Sequence, residues 1–152
     1  TGEDSLAATI DIGNGTGVAA TDLDFNSTGD KLTLDGLAYT FPLGGTTVLV
    51  GDNTDISTVY TGACAYNAFT DLLSNCGTGN SAGVEGSGVT AAASYTFDSG
   101  FSLAGGISSD PTSVLTNEGT DIYGIEAAYS GDSYGVAVAY SDNESSLISG
   151  FP

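Results

Sequence analysis

The chain has 152 residues, and one lysine, no arginine, no histidine and nineteen acidic residues give it a formal charge of −18. Phosphate recognition needs clustered Lys and Arg, so this composition argues against nucleic acid as a partner and disfavours an anionic membrane surface. A disordered acidic tail does not fit either, because charged residues are only 13% and apolar residues 40%. Many small residues with few charges suit a membrane β-barrel or a secreted β-sandwich.

Ser5 to Gly13 alternates with period two, with Leu6, Ala8, Ile10 and Ile12 on one face and Ala7, Thr9 and Asp11 on the other, which predicts a strand. Asn14-Gly15-Thr16-Gly17 breaks it. A polar stretch follows. Asp22, Asp24 and Asn26 begin like a calcium loop, but Ser27 takes the glycine position and Thr33 the place of the bidentate glutamate. That stretch reads first as a solvated acidic loop, and calcium is a weak fit.

Lys31 to Phe41 reads as a strand whose phase slips, since Leu32 and Leu34 share one parity and Leu37, Tyr39 and Phe41 the other. A bulge at Asp35-Gly36 reconciles the halves. Pro42-Leu43-Gly44-Gly45 turns the chain into a short β-branched strand, Thr46 to Gly51. The segment from Asp52 to Gly88 reads as irregular, with Asp52 and Asp55 as a second weak candidate for a hard cation. Within it, Tyr66, Phe69, Leu72 and Leu73 recur at helical spacing before Asn75 and Gly77, which predicts a short helix near 66–74. Cys64 and Cys76 flank it. Their pairing would close a small loop and imply an oxidising compartment.

Four further strands alternate cleanly. Val89, Ala91, Ala93, Tyr95 and Phe97 share a face, then Phe101, Leu103, Gly105 and Ile107, then Tyr123, Ile125, Ala127 and Tyr129, then Tyr134, Val136, Val138 and Tyr140. The opposite faces are mostly Ala, Gly, Ser and Thr. The unit of strand, short turn, strand and long loop occurs three times, with rings beside the short turns. Strands of about nine residues are long enough to cross a hydrocarbon core when tilted.

These features predict an all-β, antiparallel, up-and-down transmembrane β-barrel with short turns on one side and long loops on the other. Tyr95, Phe97, Phe101, Tyr123, Tyr129, Tyr134 and Tyr140 would form aromatic girdles, and Asp11, Lys31, Asp35 and Glu126 would face the pore. The rival is a secreted or cell-surface β-sandwich adhesion module, whose outer face would ordinarily carry more charge. The missing initiator methionine and the ending Ser149-Gly150-Phe151-Pro152 lead us to expect a piece of a longer precursor. The long insertion before Gly88 points to part of a larger barrel, with residues 1–152 as one partial domain. No histidine means no Ser-His-Asp or Cys-His pair and no imidazole ligand, so an enzyme is not expected.

Leu34-Asp35-Gly36-Leu37-Ala38-Tyr39-Thr40-Phe41-Pro42-Leu43-Gly44, with Val48-Leu49-Val50-Gly51, resembles a hairpin of the cyanobacterial outer-membrane porins, a family related to carbohydrate-selective porins and also labelled iron-uptake porins. Ala8-Thr9-Ile10-Asp11-Ile12-Gly13-Asn14-Gly15 resembles an early strand of the same barrels. The resemblance implies a barrel of about sixteen strands, a homotrimer in the outer membrane of a Gram-negative-type cyanobacterial cell, extracellular long loops and no catalytic residues. It also implies a surface-layer-homology domain, which this sequence lacks. The expected function is passive diffusion of small hydrophilic solutes or ions without a cofactor. The cysteine-bearing loop would serve either as an inward constriction or as a cap or trimer contact.

Overall fold

A computed structural model describes residues 3–11, 31–61, 88–116 and 119–144. Among them, seven strands form one antiparallel sheet in chain order. They are β1 (Ser5–Asp11), β2 (Thr33–Leu43), β3 (Thr46–Asp52), β4 (Val89–Thr96), β5 (Phe101–Ser109), β6 (Asp121–Ser130) and β7 (Gly135–Asn143). β1 and β7 are the two edges, and the sheet does not close on itself. Among the described residues, helix is confined to one 3-10 turn, Ile56–Val59.

Local chemistry sets the register. β2 and β3 are joined by Gly44 and Gly45 at φ 59° and 90°, the positive values that a two-residue hairpin turn requires at both central positions. The strand runs through Pro42 and Leu43, beyond the expected end at Phe41. Pro42 pairs with Thr47 on one side, while the pairing of β2 with β1 reaches only Thr40. A residue without an N–H is tolerated there, past the end of the neighbouring strand.

The expected phase slip is a bulge. Thr9 pairs with Gly36 and Ile10 with Leu34, leaving Asp35 as the extra residue. Leu34 therefore joins Leu37 and Tyr39 on one face of the sheet. The same face carries Tyr95, Leu103, Ile125 and Val138, through the pairs Leu103–Tyr95, Leu103–Ala127 and Ala127–Val138.

This face is the exposed one. Phe101 is 54% exposed, Tyr134 59%, Val136 53% and Val138 67%. Among the described residues, the core lies on the other face and comprises Leu49, Ile56, Val59, Ala92 and Ile122, with Ala38, Tyr60 and Ala104 packed against it. Large side chains point out and small ones in, the reverse of a soluble sheet packed on a core. The Cys64–Cys76 pairing, the helix near 66–74 and the acidic loop Asp22, Asp24 and Asn26 lie outside the described residues.

Candidate functional site

The small-residue face is occupied by the segment that leaves β3. Gly51 permits the fold-back, because a Cβ there would stand 2.8 Å from Thr54 Cγ2 and 2.6 Å from Leu37 O. Asn53 follows at φ 51°, a left-handed conformation that Asn tolerates. Its backbone N–H donates to Gly88 O at 3.1 Å, which ties the segment's start to the chain just before β4. Its Nδ2 donates to Asp35 O at 2.7 Å and to Asp35 Oδ1 at 3.2 Å.

The chain then presses Ile56, with no exposed surface, and Val59 onto Leu49 and Ala92. Thr90 Oγ1 donates to Thr54 O at 2.6 Å and lies 2.9 Å from Ser108 Oγ. The segment ends on Glu126. Thr61 N–H donates to Glu126 Oε2 at 2.6 Å, and Thr61 Oγ1 lies 2.9 Å from Ser102 Oγ.

Glu126 is 3% exposed, between Ala104 of β5 and Ala139 of β7. Its Oε1 and the Tyr60 hydroxyl are buried and make no hydrogen bond among the described residues. Burial pushes the Tyr60 phenol up to about 12, and the Glu126 carboxylate beside it adds to the rise. The docking of this strap, residues 52–61, therefore combines an apolar anchor (Ile56 and Val59), two hydroxyl contacts and a bond to the buried carboxylate of β6.

The expected pore-facing residues divide. Glu126 and Asp11 lie on the small-residue face, Asp11 half-buried and paired with Thr33. Asp35 does not follow the strand alternation, because it is the bulged residue and is held by Asn53. Lys31 is exposed and precedes β2. Asp52, at the end of β3, is exposed on the large-residue face opposite Leu37 and Val89, whereas Asp55 precedes the 3-10 turn. The described residues hold no group of three or more His, Cys, Asp or Glu suited to a metal ion.

Rings gather at the short-turn end of the exposed face. Tyr39 and Phe41 stack at 5.3 Å, Tyr95 and Phe97 meet edge-on at 4.7 Å, and Tyr129 lies 4.8 Å from Phe101 and 5.6 Å from Tyr134. Tyr123 sits near the long-loop end opposite Asp142, while Tyr140 lies further along β7 opposite Ile125. Between the rims, Leu103, Ile125, Ala127, Val138 and Tyr140 help to line an apolar recess of about 400 Å³.

Sequence reasoning missed Asn53, Ile56, Val59, Tyr60 and Thr61. Ile56 and Val59 at a three-residue spacing were the available signal, inside a stretch read as irregular. Comparison with protein-family models, with curated proteins and with solved structures found no match to this chain.

Proposed function

We propose that this chain is part of the wall of an outer-membrane β-barrel that supports passive diffusion of small hydrophilic solutes or ions. The observation that carries the reading is the inverted sheet. A continuous apolar surface faces outward, and the face with Glu126 and the Ser and Thr hydroxyls holds the strap. Exposed apolar surface of this extent needs a cover, and acyl chains cover it without demanding a second sheet. Among the described residues, no second sheet packs on that surface, as the adhesion-module reading would require.

Strand length agrees. The ten residues of β6 at about 3.3 Å each reach about 33 Å, which a tilt of about 40° reduces to about 25 Å, the height of an outer-membrane apolar band. The ring cluster at the short-turn rim matches an interfacial girdle, and by the asymmetry of outer-membrane barrels the short turns would be periplasmic and the long loops extracellular. Among the described residues β1 and β7 are the sheet edges, and closure into a barrel would take more strands. Our proposal is a larger barrel of about sixteen strands, trimeric and of the cyanobacterial porin type. With nineteen acidic residues and one lysine, its lumen would favour cationic or neutral solutes.

Planar-bilayer recording of the full-length gene product tests this. Stepwise conductance with cation-selective reversal potentials is expected. A protein that stays soluble without detergent and carries no current would overturn the reading in favour of the adhesion module.

A further inference from the structure

Glu126 poses a charge problem that the chain cannot solve internally. A buried carboxylate needs a counter-charge or a proton. The sequence contains no arginine or histidine, and its single lysine is Lys31. Lys31 is exposed and precedes β2, four strand spacings from β6 in the sheet order, or about 19 Å at 4.8 Å per spacing. No arginine, histidine or lysine side chain is therefore placed to pair with Glu126.

The contact from Thr61 occupies one of the two carboxyl oxygens. Its N–H donates to Glu126 Oε2 at 2.6 Å. Among the described residues, hydroxyls lie on the same side: that of Tyr60, which feels the Glu126 charge, and those of Thr61 and Ser102, 2.9 Å apart. Oε1 and the Tyr60 hydroxyl are both buried and make no hydrogen bond among the described residues.

We propose that the junction of Glu126, Tyr60, Thr61 and Ser102 binds a monovalent alkali cation, which neutralises the carboxylate and holds the strap on the wall. All-oxygen donors select hard cations. One carboxylate balances one positive charge, whereas a calcium site usually draws on several acidic side chains. The high net negative charge raises the local cation concentration. The assignment rests on the diffusion reading for its setting, a strap held against the pore wall. Its binding test is separate from conductance.

The test is sodium-23 NMR line broadening on the full chain in neutral detergent, at pH 7 and constant ionic strength. The wild type is expected to show a saturable component, competed by potassium and not by N-methyl-D-glucamine, above the linear background of its other carboxylates. Glu126→Gln should remove the saturable component, and Tyr60→Phe should weaken it several-fold. Ala139→Lys offers a second route should Glu126→Gln fail to fold. It puts an ammonium opposite Glu126, within the about 5 Å Cβ spacing of cross-strand pairs, and should displace sodium while retaining the carboxylate. Equal broadening in the wild type and Ala139→Lys, or an infrared band of protonated carboxyl at pH 7 that Glu126→Gln removes, would overturn the proposal. Conductance without saturable sodium binding would sink the cation site alone, and binding without conductance would sink the channel reading alone.

Discussion

Thr61 and Glu126, 65 positions apart in sequence, are joined by a 2.6 Å hydrogen bond from the Thr61 backbone N–H to Glu126 Oε2. The bond fastens the far end of the strap to β6, while Asn53 fastens the near end to Gly88. Between these fixings, Ile56 supplies the apolar contact. The strap is thus held by chemistry of three kinds, each open to separate disruption.

Truncating the apolar anchor should release the strap without melting the sheet. Ile56 has no exposed surface, and Ile→Ala at such a site costs about 2–5 kcal/mol. Ile56→Ala is expected to raise amide exchange at Thr58 and Tyr60 while β5 and β6 stay protected. Hydrogen exchange with peptide-level mass analysis reads this out, and uniform loss of protection across β5 and β6 would contradict it.

Removing the Thr90 hydroxyl should weaken the same docking from the wall side. Thr90→Val keeps the side chain's shape and leaves the Thr54 carbonyl without its donor, a loss of about 1–2 kcal/mol. Together with Ile56→Ala the effects should be less than additive, because both act on one docking equilibrium. A double-mutant cycle in urea measures the coupling.

Adjacent residues on opposite faces offer a contrast for the membrane reading. Val138 points to the apolar face, and Ala139 lies on the small-residue face opposite Glu126. A lysine on the lipid side near the bilayer midplane costs about 2–4 kcal/mol. Val138→Lys should therefore lower folding stability in lipid vesicles by that order, and Ala139→Lys should be tolerated. Equal tolerance of both would argue that no bilayer covers the outward face.

The strap should loosen at alkaline pH. In the docked protein with no cation bound, as in N-methyl-D-glucamine buffer, the Tyr60 phenol is held up to about 12 by burial and then by the Glu126 charge, above the ordinary tyrosine value of about 10. Between these values the undocked strap loses the proton first, so rising pH draws the equilibrium toward undocking. Docking is fully retained below pH 10 and declines through the window from 10 to 12. Tyr60→Phe should abolish this component, measured as the difference in alkaline exchange or proteolysis between the two proteins.

Period-two patterning determines the two faces, because in a strand the direction of a side chain depends only on its parity. Leu103, Ile125 and Val138 could thus be assigned to one surface from sequence, as could the bulge at Asp35, where parity breaks. The strap was hidden. Ile56, Tyr60 and Thr61 make their decisive contacts with Ala92, Glu126 and Ser102, tens of residues away, and a single 3-10 turn has too few residues for a periodic signal. The sequence carries the net charge, the lack of any cation to pair with Glu126 and the direction of each strand residue. Tertiary structure alone decided which carboxylate is buried and what lies over it, because burial arises from segments distant in sequence meeting across the sheet.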